Sequence, residues 1–108
     1  MDSHILELAS GDITNGKINV RPCGLKFFPD GILGGSTKKD IGNQITINAS
    51  GIDIPIETDI PTVKNKKTPR WFFRERKWVK PFIKVHQLSV GDRLKITRLS
   101  NKEYKSDK

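Results

Sequence analysis

The strictest alternation of apolar and polar side chains lies in the middle of the chain. From residue 44 to 49 every second side chain is apolar, and the alternation continues from 52 to 60 after the polar pair Ser50-Gly51. Because successive side chains of a strand point to opposite faces, this pattern predicts two strands of a hairpin with one buried face. Pro55 cannot donate a ladder hydrogen bond, so we expect the second strand at an edge of the sheet.

Shorter apolar runs predict further strands on either side of this hairpin. Residues 5–8 and 18–20 flank a polar, glycine-containing stretch that is typical of a loop, so they predict a pair with a protruding connection. Residues 93–97 place Leu94 and Ile96 on one face, and Tyr104 closes one more short strand. The remaining tail, 105–108, is expected to be frayed.

One segment near the C-terminus changes to the helical period. Val79, Phe82, Ile83 and His86 follow one another at positions i, i+3, i+4 and i+7. This spacing predicts a helix of about ten residues with one apolar stripe, and Pro81 is tolerated in its first turn. Since His86 lies on the stripe, we expect a hydrogen-bonded core histidine there rather than a ligand or a base.

The densest mixture of aromatic and basic residues is the run 70–78, which holds both tryptophans, two phenylalanines and three arginines. A helical period would place apolar side chains on every side of this run. A strand would instead point Trp71 and Phe73 inward and put the three arginines on the opposite face together with Phe72. We therefore expect a strand with a basic and aromatic outer face.

Many short strands joined by turns, with one clear helix near the end, are typical of a small antiparallel barrel or sandwich. A length of 108 residues suits one domain with one core. We expect this domain to span residues 1–104.

Charge divides the chain into two unequal halves. Residues 1–54 carry five basic and six acidic side chains, whereas residues 55–108 carry fifteen basic and six acidic ones. Between 64 and 80 there are eight basic residues and a single acid, Glu75. Such a block is the electrostatic footprint expected for binding a phosphate backbone, although a solvated basic loop has the same composition.

Hydrophobicity and cysteine content exclude several classes of protein. No apolar run approaches the roughly 18 residues of a membrane span, and the N-terminus lacks the pattern of a secretory signal. We therefore expect a cytoplasmic protein. Cys23 is the single cysteine, which excludes an internal disulfide and a cysteine-rich zinc site. No cofactor or metal is expected.

Candidate catalytic residues are few. Asp30, Glu75 and Lys77 imitate the pattern of metal-dependent nucleases, in which two acids hold a divalent ion and a lysine assists. Asp30 belongs to a turn-forming sequence rather than a strand, so a small nuclease is only an alternative. Neither histidine has acidic or cysteine neighbours at metal-ligand spacing. We expect no enzymatic activity from the chain by itself.

Two polar stretches carry the residue types that contact DNA. Arginines supply bidentate donors to guanine or phosphate, lysines add point charge, and asparagine and threonine read base edges or hold phosphates. The candidate DNA-binding residues are Asp12, Thr14, Asn15, Lys17, Asn19, Arg21, Thr58, Asp59, Lys64, Asn65, Lys66, Lys67, Arg70, Arg74 and Arg76.

The segment 71–98 resembles the end of the plant B-three DNA-binding domain. In that family a basic-aromatic strand leads to a helix with the order Trp-x-x-Phe, then Leu-x-x-Gly-Asp, then a strand ending in Arg. These places are filled here by Trp78, Phe82 (one residue later than usual), Leu88, Gly91, Asp92 and Arg98. Segments 28–36, 57–60 and 73–76 are similar to the bacterial version, the recognition domain of type II restriction endonucleases such as EcoRII and BfiI, also found attached to DNA methyltransferases.

This resemblance implies a mainly β fold with two short helices, built as a seven-stranded open barrel of the DNA-binding pseudobarrel type. It also implies two arms that grip the major groove of double-stranded DNA, here 11–19 and 58–76. The chain would then be the sequence-specific target-recognition module of a restriction-modification enzyme, with a nuclease or methyltransferase domain or subunit as its partner. A basic protein-interaction domain that docks an acidic partner is the alternative of a different class.

Overall fold

The computed structural model describes residues 2–63 and 68–108, and within these ranges the chain forms five β-strands and two α-helices. In chain order the elements are β1 (Ser3–Glu7), α1 (Ser10–Asn15), β2 (Ile45–Ala49), β3 (Ile56–Thr58), α2 (Val79–Val85), β4 (Arg93–Arg98) and β5 (Glu103–Asp107). Two 3₁₀ turns, Arg21–Cys23 and Leu25–Phe27, lie between α1 and β2.

The five strands form one open sheet in the order β1-β4-β5-β2-β3. All neighbouring pairs are antiparallel except β2 and β5, which run parallel. The mainly β character and the two helices are confirmed, whereas the predicted seven strands are not present in the described ranges. The sheet is mixed rather than purely antiparallel because β5, after its turn from β4, inserts beside β2.

The C-terminal tail was predicted wrongly as frayed. Strand β5 extends to Asp107 and lies at the centre of the sheet, between β4 and β2. Tyr104 and Ser106 are fully buried, while Lys105 between them is exposed. Since only one residue of the buried face is apolar, the alternation was too weak to extend the short strand predicted at Tyr104 through residues 105–107.

The central hairpin is confirmed, although its second strand is shorter than predicted. Strands β2 and β3 pair antiparallel with Ile47 opposite Ile56, and β3 lies at the sheet edge as Pro55 suggested. Ile54 is 75% exposed, because the paired strand begins only at Ile56. The predictions of α2 and β4 are also confirmed.

The region that follows β1 differs from the prediction. Residues 10–15 form helix α1 rather than a loop, and 18–20 are not a strand. The Asp12 carboxylate accepts a hydrogen bond from the Ala9 amide at 2.9 Å, which satisfies a donor at the helix start. Gly16 ends the helix with φ of 63°, a left-handed conformation that favours glycine. Strand β1 pairs with β4 instead.

The core joins the sheet to the aromatic residues of the connecting segments. The Tyr104 hydroxyl donates a hydrogen bond to the Phe27 carbonyl at 2.5 Å. Burial raises the pKa of the Tyr104 hydroxyl to about 12 and that of the Cys23 thiol to about 11. As predicted, His86 is a structural residue: its Nε2 lies 2.7 Å from the Ser50 carbonyl oxygen. Within residues 2–63 and 68–108, no helix is long and apolar enough to cross a membrane.

Candidate nucleic-acid interface

The aromatic-basic run does not form the predicted strand. Trp71 adopts φ of 56°, in the left-handed region that is costly for a bulky side chain. Its carbonyl accepts a hydrogen bond from the Val20 amide at 2.9 Å, which helps to hold this geometry. The turn at Trp71 breaks the strand alternation. Phe73 enters the core and is 1% exposed, while Phe72 stays half-buried at the surface.

Three cationic side chains surround the ring of Phe72. The Lys17 ammonium and the Arg70 guanidinium carbon each lie 5.3 Å from the ring centroid, and the Arg76 guanidinium carbon lies 5.1 Å from it. These distances are within the range of cation–π attraction. We call these four residues the Phe72 cluster. It joins Lys17, just after α1, to three residues of the 70–76 segment.

The Phe72 cluster brings three positive charges together and contains no acidic residue. Arg70 and Arg76 are exposed and Lys17 is half-buried. Among the residues that the structure describes, none of these three cations forms a salt bridge. The ring quadrupole offsets part of their mutual repulsion, and an anion bound from solution would offset the rest. The arrangement is therefore suited to an anionic ligand.

Concave surfaces extend from this cluster in two directions. One groove of about 350 Å³ runs along the end of α1 and the start of α2, between Asn15, Arg76 and Lys80. A Cβ on Gly16 would lie 2.9 Å from Cγ of Lys80, so the absence of a side chain lets Lys80 lie across the end of α1. A second groove, of about 210 Å³, passes Arg21, Arg70 and the aromatic pair 71–72.

Arg74 forms an internal ion pair, although it lies between Arg70 and Arg76 in the sequence. Its Nε donates to Asp59 Oδ1 at 2.6 Å and its Nη2 donates to Asp59 Oδ2 at 3.1 Å. The Asp59 side chain is completely buried, and that of Arg74 is 14% exposed. We call this bidentate pair the Asp59–Arg74 clamp. Burial makes such a pair costly to break from one side.

Several residues predicted to contact DNA form hydrogen bonds within the protein instead. Thr58 is buried, and its hydroxyl donates to the Asp59 carbonyl and accepts from the Glu75 amide. Together with Arg74, Thr58 and Asp59 form internal structure rather than an open surface. Asn19 is exposed, and its side-chain oxygen accepts a hydrogen bond from the Arg21 amide at 2.9 Å.

Asp12 is buried and accepts the Ala9 amide hydrogen bond at the start of α1, so it is structural too. The other predicted residues divide into two groups. Thr14, Asn15, Arg21, Arg70 and Arg76 are exposed. Lys64, Asn65, Lys66 and Lys67 lie outside the described residues.

Sequence reasoning missed three lysines that line the same grooves. Lys77 and Lys80 border the larger groove, and Lys38 borders that groove as well as a neighbouring one of about 290 Å³ next to Phe72. The pair Lys38-Lys39 was visible in the sequence, but it lies about 25 residues before the basic block that begins at Lys64. Only the fold brings it to this surface.

The residues of the nuclease alternative do not form a recognisable ligand set. Asp30 is exposed in a turn, and the Glu75 carboxylate accepts a hydrogen bond from the Lys77 amide at 3.0 Å. Across ranges 2–63 and 68–108, no three histidine, cysteine, aspartate or glutamate side chains come together in a way that could hold a metal ion.

The sequence of this chain matches no protein-family profile and no curated protein. Its fold is similar to the "N-terminal domain of Helicobacter pylori LlaJI.R1", with a TM-score of 0.65 and 16% sequence identity. The similarity covers 98% of this chain and 85% of that one. At this identity the likeness concerns the fold, and membership of the B-three family stays a prediction.

Proposed function

We propose that this chain binds double-stranded DNA and serves as the target-recognition module of a restriction-modification enzyme, without a catalytic site of its own. The Phe72 cluster is the observation that carries this proposal. It holds three cations around one ring, at a surface where two grooves meet. A phosphate backbone supplies the row of anions that such a surface lacks.

The chemistry of the cluster favours nucleic acid over a single small anion. Two of its three cations are arginines, whose planar guanidinium groups bind phosphate or the guanine edge in a bidentate way. The cations that line the two grooves come from the segment after α1, from residues 70–77 and from α2, so the basic surface is larger than the cluster alone. Several cations spread over such a surface match several phosphates rather than one.

The fold likeness supports the same class of function. The similar domain is the N-terminal domain of LlaJI.R1 from Helicobacter pylori, and the sequence separately resembles the recognition domains of restriction endonucleases. A shared fold does not fix a function by itself. It agrees, however, with the independent placement of the basic cluster and with the net charge of +8.

The finer proposal is sequence-specific recognition in the major groove by two arms. The first arm is α1 with the residues that follow it, where Thr14 and Asn15 are exposed. The second arm is the segment 58–76, which carries Arg70 and Arg76 and includes residues 64–67 outside the described ranges. In this proposal Arg70 and Arg76 read bases or hold phosphates, and the Asp59–Arg74 clamp keeps their segment in place.

Selection from a randomised duplex library at about 0.15 M salt tests this proposal, because non-specific phosphate binding is much weaker there than at low salt. We expect enrichment of one short motif. The enriched duplex and a scrambled duplex of equal length then serve in a titration followed by fluorescence anisotropy. Preference for the enriched duplex supports recognition of sequence.

Three other results would contradict the proposal in different ways. Retention of duplexes without enrichment would leave a basic surface that binds DNA non-specifically. Equal displacement of both duplexes by an acidic protein or heparin, with no preference between them, would favour docking of an acidic partner. Cleavage of plasmid DNA with magnesium would show that the chain is catalytic, and would contradict its role as a pure recognition module.

A further inference from the structure

The loop 34–42 is fastened to the interface by the same arginine that forms the clamp. Arg74 Nη1 donates a hydrogen bond to the Thr37 carbonyl at 2.9 Å, and Nη2 donates to the Gly35 carbonyl at 2.6 Å. The partner carboxylate of Asp59 also accepts a hydrogen bond from the Gly42 amide at 2.8 Å. One buried ion pair thus holds both ends of this loop.

The start of the loop is fixed by further hydrogen bonds. The Gly34 amide donates to the Ile60 carbonyl at 2.9 Å, and the Gly34 carbonyl accepts from the Thr62 hydroxyl at 2.8 Å. A Cβ at Gly34 would collide with the Asp59 carboxylate, so only glycine allows the backbone to approach the clamp this closely. The conformation of the loop is therefore set by tertiary contacts.

This fixed loop presents Lys38 to the candidate interface. Lys38 is exposed and borders the groove that contains Arg76 and Lys80. It also borders the groove beside the Phe72 ring, together with Lys17. The adjacent Lys39 is equally exposed but lines none of these grooves.

We infer that Lys38 contacts a phosphate of the bound duplex, which makes the loop 34–42 a third DNA-contacting element beside the two arms. This inference rests on the proposed function. A lysine ammonium is a point charge on a flexible stem, suited to phosphate rather than to bidentate reading of a base. Its contact contributes affinity that does not depend on sequence.

Lys38→Ala and Lys39→Ala form a matched pair, because both remove one exposed charge from the same loop. Affinity of each variant is measured by anisotropy with the enriched duplex and with a scrambled one, over a series of salt concentrations. Lys38→Ala is expected to weaken both duplexes equally, by roughly three- to tenfold. The slope of log K against log salt should fall by about 1 for Lys38→Ala. Lys39→Ala should change affinity by less than about twofold.

The role of the clamp is tested by Arg74→Lys, which keeps the charge but loses the planar fork. In this background the loop loses its two guanidinium bonds, so Lys38→Ala should weaken binding much less than in the wild type. Circular dichroism and urea unfolding establish that the variant is folded under the assay conditions. If Arg74→Lys does not fold, the affinities of Lys38→Ala and Lys39→Ala by themselves decide whether Lys38 contacts the duplex.

The outcomes separate this inference from the function on which it rests. If the wild-type chain binds no duplex, the proposed function fails. If it binds DNA but Lys38→Ala behaves like the wild type, or like Lys39→Ala, the third contact element is refuted while the function stands. An equal loss from Lys38→Ala in the wild-type and Arg74→Lys backgrounds would refute positioning by the clamp.

Discussion

Arg74 and Arg76 are two residues apart, yet the fold gives them opposite environments. The Arg74 side chain is 14% exposed and donates to the buried Asp59 carboxylate and to two backbone carbonyls. Arg76 is exposed, lies over the Phe72 ring, and has no salt bridge to any described residue. One arginine is therefore part of the structure, and the other is free to meet a ligand.

The difference shows that a block of basic residues does not have a single role. What separates the two arginines is Asp59, a buried acid fifteen residues before Arg74. Its carboxylate needs a cation because an unpaired charge in the interior is costly. The clamp that results also fixes the segment that carries the Phe72 cluster. Fixing this segment before binding reduces the entropy that ordering would cost on contact with DNA.

The largest effect on the difference between the two arginines is expected from removing Arg74, and it concerns stability. Among the described residues, Arg74→Ala leaves the Gly42 amide as the one side-chain-independent donor to the buried Asp59 carboxylate, so the free energy of unfolding should fall by about 3 kcal/mol or more. Arg93→Ala, which removes an exposed strand arginine, is the control and should change it by less than about 0.5 kcal/mol. Urea unfolding measures both. A small effect at Arg74 would contradict its structural role.

The next largest effect concerns Arg76 and appears in binding rather than in stability. Arg76→Ala should weaken the enriched duplex by about 1 to 3 kcal/mol if it reads a base. Its free energy of unfolding should stay within about 0.5 kcal/mol of wild type because the side chain is exposed. Anisotropy and urea unfolding on the same protein give both values. If Arg76→Ala lost stability but kept its affinity, the two arginines would have exchanged their assigned roles.

The smallest effect is expected from substitutions of Phe72, whose ring lies beside Arg76, and it concerns duplex affinity. Phe72→Leu keeps an apolar side chain and every charge but removes the π-face, which is worth about 0.5 to 1 kcal/mol for each exposed cation contact. We therefore expect duplex affinity to fall by a few-fold, since the cations are no longer held together. Phe72→Tyr retains the ring and should bind nearly as the wild type does. Equal affinity of the two variants would show that the ring does not organise the cations.

Much of the sheet was predictable because its strands carry one apolar face. The alternation through Ile45 and Ile47 located β2 and its hairpin, and the helical spacing of Val79, Phe82 and Ile83 located α2. The pattern located only the part of β5 around Tyr104, because Tyr104 is the one apolar member of its buried face. It failed at Trp71, whose left-handed backbone is held by a contact with a distant amide.

For the candidate site, the sequence by itself determined the basic character of the C-terminal half and the residue types available to it. It included Lys17, Arg70 and Arg76 among fifteen candidates, together with Arg74, because charge and hydrogen-bonding capacity belong to the residue itself. Only the tertiary structure decided which charges face solvent. Burial of Asp59 withdrew Arg74 from the surface, and the loop tied to that pair added Lys38. The physical reason is that desolvation and pairing depend on neighbours that are distant in the sequence.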